Sequence, residues 1–115
     1  MKEIKAVIRP AKLANLRSRL HKVPGFPGMT VSKAEGCTAL SRYSSRNTVK
    51  EELTDYTPKV RIEIVAPDDM VQDIVDVVIQ AAQTGQIGDG LVWVTDIVQA
   101  SFIHKLMPDQ SEFGL

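Results

Sequence analysis

The sequence carries an internal repeat. An apolar strand pattern that ends at a proline, a helical stretch, and a glycine that opens another strand occur as Ile8-Arg9-Pro10 followed by Gly28-Met29-Thr30-Val31, and again as Val65-Ala66-Pro67 followed by Gly90-Leu91-Val92-Trp93. Neither strand-helix-strand unit can bury its apolar face alone, so the two must complete one another. With 115 residues the chain has room for one two-layer core and not for two, which makes residues 1–115 a single domain.

Periodicity places the elements of each unit. Ile4, Ala6 and Ile8 alternate with Glu3, Lys5, Val7 and Arg9, a half-buried strand over 2–9 that Pro10 ends. Leu13, Leu16, Leu20 and Val23 recur at helical spacing, which predicts an amphipathic helix over 12–23 with Arg17, Arg19 and Lys22 toward water. Pro24-Gly25-Phe26-Pro27-Gly28 stops it, and a strand over about 29–36 follows with Met29, Val31 and Ala34 as its apolar positions. Val60, Ile62 and Ile64 alternate with Arg61 and Glu63 in a third strand ending at Ala66-Pro67. Asp68 suits the N-cap of a second helix whose stripe is Val71, Ile74, Val75, Val78 and Ala82, and Leu91 to Thr95 forms the fourth strand. This order predicts an α+β chain of the ferredoxin-like βαββαβ type, an antiparallel four-stranded sheet with both helices on one face. The opposite face stays open, and apolar residues on it predict burial in an oligomer.

Two stretches serve no purpose in that frame. Residues 38–57 lack an apolar period: Arg42, Arg46 and Lys50 lie in the first half, Glu51, Glu52 and Asp55 in the second, with Leu40, Tyr43, Val49 and Leu53 scattered between. A loop of this length is unusual in a compact domain and is expected to project into solvent. The other stretch is Thr84-Gly85-Gln86-Ile87-Gly88-Asp89-Gly90, with three glycines in six residues. Gly85 has an ordinary explanation as the C-cap of the preceding helix. Gly88 and Gly90, on either side of Asp89, lengthen the turn without evident structural need and mark a place where backbone can approach a ligand.

Composition removes several functions. Fourteen Lys and Arg balance fourteen Asp and Glu, so no basic field steers the chain toward nucleic acid and no polybasic segment toward a membrane surface. No apolar run approaches a membrane span and Met-Lys-Glu-Ile-Lys does not open a signal peptide, from which a cytoplasmic location is expected. The single cysteine, Cys37, excludes an internal disulfide and is expected to be a buried, inert thiol. Cys37, His21 and His104 do not fall at a metal-ligand spacing, and no nucleophile with a base or pair of carboxylates stands out, so neither a metal nor a catalytic site is expected. A small phosphatase would need more than Arg9, a cation near a strand end that is expected to face solvent.

In this setting Thr84-Gly85-Gln86-Ile87-Gly88-Asp89-Gly90 resembles the C-terminal signature of the PII nitrogen-regulatory signal proteins. Ile8-Arg9-Pro10 with Lys12-Leu13, Gly28-Met29-Thr30-Val31, Pro58-Lys59-Val60-Arg61-Ile62-Glu63-Ile64-Val65 and Pro67-Asp68-Asp69 resemble the same family, in the same order and at nearly the same spacings, over about residues 1–98. The resemblance implies a homotrimer with a long T-loop at about 38–57 and a C-terminal tail at about 97–115. It implies a non-enzymatic regulator that acts on a target protein, a transporter or a metabolic enzyme, through T-loop residues such as Arg42, Tyr43, Arg46, Lys50, Glu51 and Glu52. No cofactor is required; the ligand expected in clefts between subunits is an adenine nucleotide (ATP, ADP or AMP), in the family often bound together with 2-oxoglutarate. The matched cleft positions are Gly28, Met29, Thr30, Gly36, Val65, Thr84, Gly88, Asp89 and Gly90, and Lys59 matches a lysine that the family uses near 2-oxoglutarate.

The departures are chemical. Leu91 stands where the family places a phosphate-binding lysine, and Phe102 and His104 where it places two arginines. Those cations are the charge-assisted donors that a triphosphate needs, and His104 with Lys105 supplies only part of the missing charge. Leu40 occupies the position of a glutamine that helps hold Mg²⁺ and 2-oxoglutarate, and a hydrocarbon side chain cannot coordinate a hard cation. Glu52 replaces the tyrosine that some members have uridylylated. A sensor fold with a changed signal follows. The alternative is a trimer like that of the related CutA proteins, which senses another small anion or is linked to metal or transport regulation without ATP binding.

Overall fold

The computed structural model describes residues 1–37 and 56–104. Strand β1 (Lys2–Ile8) leads through a short 3-10 turn at Pro10–Lys12 into helix α1 (Leu13–Leu20). Strands β2 (Thr30–Cys37) and β3 (Tyr56–Ala66) follow, then a second 3-10 turn at Asp68–Met70, helix α2 (Val71–Ala82) and strand β4 (Gly90–Asp96). The sheet order is β2-β3-β1-β4 and every neighbouring pair is antiparallel. This is the ferredoxin-like βαββαβ arrangement expected from the repeat.

The two halves meet along β1, which pairs with β3 on one side and β4 on the other. Ile4, Ala6 and Ile8 on β1 and Val60, Ile62, Ile64 and Ala66 on β3 point to the helices, where Leu16 and Leu20 of α1 and Ile74, Val78, Ala81 and Ala82 of α2 cover them. All of these are buried. Removing such area from water, at roughly 25 cal/mol per Å², is the main favourable contribution to folding. The side-chain amide of Asn15 donates to the Ala81 carbonyl at 3.3 Å, joining the helices and satisfying a carbonyl that the end of α2 leaves without an intrahelical partner.

The boundaries differ from expectation where local geometry intervenes. Pro10 opens a tight turn, so the α-helical part of the 12–23 stretch runs only from Leu13 to Leu20. Met29 packs on the core just before β2, but Val31 is exposed: β2 is an edge strand, and the helices do not reach its helix-side surface. For the same reason Cys37 is exposed at the end of β2 and not buried. β3 begins at Tyr56, so Tyr56 and Thr57 belong to a strand and not to the loop predicted at 38–57. Its first four residues pass the end of β1 and pair with β2 alone, Tyr56 with Cys37 and Lys59 with Ala34. Asp68 does not cap α2; it lies 2.8 Å from the N-terminal amine and 3.8 Å from the Lys2 ammonium.

The sheet face away from the helices carries the expected apolar residues interspersed with charged ones. The register sets Lys5 between Glu63 and Trp93, Glu3 between Val65 and Thr95, and Val7 between Arg61 and Leu91. Lys5 and Glu3 are 3.6 Å apart and Arg61 and Glu63 3.9 Å, so charge and hydrocarbon interleave there.

Gly90 has a structural cause that the sequence did not reveal. It faces Ile8 in the β1–β4 register with φ +111°, and a Cβ at that position would lie 1.7 Å from the Val7 carbonyl oxygen. Gly85, at φ +87°, has open space around its missing Cβ. Gly90→Ala therefore combines backbone strain with a main-chain clash and is expected to cost about 3 kcal/mol or more, against about 1 kcal/mol for Gly85→Ala. Denaturant unfolding of the two variants checks the ranking.

Candidate functional site

The turn between α2 and β4 is held by its own aspartate. The Asp89 carboxylate accepts the Thr84 N–H at 2.7 Å and the Gly85 N–H at 2.8 Å through Oδ2, and the Thr84 hydroxyl through Oδ1. The Asp89 N–H donates to the Gln86 carbonyl at 3.2 Å. Gly85, Gly88 and Gly90 all adopt positive φ, at 87°, 103° and 111°, which lets the chain reverse within so few residues.

Two cations from the sheet reach the same turn. Arg9 follows the last paired residue of β1, and its Nε–H donates to Asp89 Oδ1 at 3.3 Å while Nη2 donates to the Ile87 carbonyl at 3.2 Å. The solvent-facing role expected for Arg9 is thus replaced by an attachment to the turn. Lys59 is buried, with 8% of its surface exposed, and its ammonium donates to the Gly88 carbonyl at 2.8 Å. The Lys59 stem passes over Gly36, where an added Cβ would lie 3.3 Å from Lys59 Cγ. Gly36 thus leaves a path for the lysine beneath the end of β2. Gly36, Lys59, Thr84, Gly88, Asp89 and Gly90 form one cluster.

Gly28, Met29, Thr30 and Val65 gather elsewhere, in a cavity of about 430 Å³ lined also by Pro27, Glu63, Ala100, Ser101 and Phe102. Gly28 has φ +106° and open space around it, and Thr30 pairs with Glu63 across the β2–β3 ladder. The two clusters stand at opposite ends of the strands. Lys59 and Val65 are six positions apart on β3, about 20 Å at the usual rise of a strand. One chain therefore does not bring its matched residues into one cleft. The T-loop residues Arg42, Tyr43, Arg46, Lys50, Glu51 and Glu52, with Leu40, lie outside the described residues, as does Lys105.

Sequence reasoning missed the positions of Arg9, Glu63 and Phe102. Glu63 was legible as the polar partner in an alternating strand, but its place in the cavity follows from the β2–β3 register. Phe102 is half-buried in the cavity and its ring lies 5.6 Å from that of His104. Leu91 is exposed beside the glycine turn. Among the described residues no group of three or more His, Cys, Asp or Glu is placed to hold a metal, and no helix is long and apolar enough to cross a membrane.

The Thr84 hydroxyl above all holds the Asp89 carboxyl well below the usual carboxylate range. The Thr84 N–H, the Gly85 N–H and Arg9 act in the same direction, against an opposing push from burial. A depressed folded pKa gives stability that is present above the unfolded value, about 3.9, and lost as the pH falls toward the folded one. The difference in melting temperature between the parent chain and Asp89→Asn is therefore expected to stay constant from about pH 8 to about pH 5 and to shrink below about pH 4. A difference that grows on acidification would contradict it.

A sequence profile described as nitrogen regulatory protein P-II matches residues 1–105. The chain is 43% identical over 99 residues to nitrogen regulatory protein P-II 1 of Escherichia coli (strain K12), a match covering 86% of this chain and 88% of that one. It is 42% identical over 99 residues to nitrogen regulatory protein P-II of Klebsiella oxytoca, with the same coverage. Nitrogen regulatory protein P-II of Bradyrhizobium diazoefficiens is 41% identical over 100 residues, covering 87% of this chain and 88% of the relative. Fold, glycine turn and these likenesses agree, and the chain belongs to the P-II family of nitrogen regulatory proteins.

Proposed function

We propose that this chain is a non-enzymatic sensor that binds an adenine nucleotide in clefts between the subunits of a closed trimer and reports occupancy to a target protein through the segment following β2. The observation that carries this reading is the separation of the matched residues into two sets about 20 Å apart along the strands. Gly28, Met29, Thr30 and Val65 line a cavity at one end, and Gly36, Lys59, Thr84, Gly88, Asp89 and Gly90 cluster at the other. A head-to-tail contact sets one end of a subunit against the opposite end of the next, and where its rotation is one third of a turn it closes into a ring of three. A two-fold contact would set like against like and leave each half-site incomplete.

The chemistry of the two ends favours a ligand with few phosphates. Phe102 lines the cavity and Leu91 flanks the turn, at positions where a triphosphate would need cations. ADP and AMP place less charge there than ATP does. A ligand whose affinity differs between two states of the protein suffices as a switch.

Isothermal titration of the purified protein with ATP, ADP and AMP, with and without Mg²⁺ and 2-oxoglutarate, tests the reading. ADP or AMP is expected to bind without 2-oxoglutarate and at least as tightly as ATP. Absence of heat with all three would overturn it in favour of another small anion. Gly88 has φ +103°, which a β-branched residue does not readily adopt, so Gly88→Val is expected to weaken nucleotide binding by about tenfold or more without changing the mass seen by light scattering. Normal binding by that variant would show the turn to lie away from the ligand.

A further inference from the structure

Arg9 is a single side chain with two separate attachments to the same turn. Its Nε–H meets Asp89 Oδ1 at 3.3 Å, and its Nη2 meets the carbonyl of Ile87 at 3.2 Å. The next carbonyl, that of Gly88, is taken by Lys59 at 2.8 Å. Extending the β1–β3 register by one step beyond Ile8 and Val60 sets Arg9 opposite Lys59, so neighbouring strands hold consecutive carbonyls of one turn. The peptide bonds here are trans. In a trans peptide the N–H points opposite to the carbonyl, so fixing the Ile87 C=O toward Arg9 fixes the Gly88 N–H away from it. Gly88 has φ +103°, a conformation open to glycine in which no side chain stands between its N–H and an approaching group.

We infer that Arg9 is a positioning residue: it orients the peptide between Ile87 and Gly88 so that the Gly88 N–H is presented to an anionic group of the ligand, without touching the ligand itself. The guanidinium suits this task because its donors lie in a rigid fork and can serve a carboxylate and a carbonyl together. An ammonium serves one direction at a time along a flexible stem. The identity of the ligand as a nucleotide rests on the function proposed above, but the orientation of the turn is a property of the ligand-free protein.

Two measurements on Arg9→Ala and Arg9→Lys separate the claims. In the ligand-free protein, the ¹⁵N–¹H resonance of Gly88 is expected to move in both variants, more in Arg9→Ala, while resonances of α1 stay in place. ADP affinity is expected to fall about tenfold in Arg9→Ala, with partial recovery in Arg9→Lys. The effects of Arg9→Ala and Asp89→Asn are expected to be less than additive, since both substitutions break the same attachment. An unmoved Gly88 resonance overturns the inference, whether ADP affinity is unchanged or reduced; in the latter case Arg9 would act as a direct ligand contact. If the parent chain binds no nucleotide, the proposed function fails, and the Gly88 resonance of the ligand-free variants still decides the role of Arg9.

Discussion

The central position of β1 governs the rest of this structure. Its two edges carry β3 and β4, so each half of the repeat is completed by the same seven residues. The approach is close enough that Gly90 admits no side chain against the Val7 carbonyl. That contact fixes where β4 begins, and with it the distance from α2 across which the turn must reach. Because Arg9 directly follows β1 and Lys59 lies one step outside its pairing with β3, the same register delivers both cations to the turn. The helix-side core and the turn are two products of one alignment.

The fold was legible in the sequence because alternation and helical period agree with the global arrangement at nearly every element. Ile4, Ala6 and Ile8 fall on the core face as their spacing requires. Errors arose where burial depends on what lies across the sheet. Val31 has the character of a core residue but sits on an edge that no helix covers, and Cys37 shares that position. Asp68 is a sound capping residue by type, but a 3-10 turn capped by Pro67 precedes the helix, and the Asp68 carboxylate lies by the N-terminal amine and Lys2.

The candidate site was legible as a set of residues and not as an arrangement. Spacing identified the glycine turn, but could not show that Asp89 folds back on Thr84 and Gly85 or that Arg9 and Lys59 converge on it. Such contacts link residues up to eighty positions apart, and only pairing of strands brings them together. Gly90 illustrates a further ambiguity. A glycine demanded by strand packing and one demanded by a ligand look alike in a sequence, and here the packing reason is explicit.

The unequal lengths of the strands have a mechanical consequence. From Tyr56 to Lys59, β3 runs on beyond β1 with only β2 beside it, a two-stranded stalk with Ala34 and Lys59 at its base and Gly36 nearer its far end. Ribbons of two strands twist more readily than wider sheets. The buried lysine at the base of the stalk is bonded to the Gly88 carbonyl, so the root of the stalk and the glycine turn are joined by one hydrogen bond.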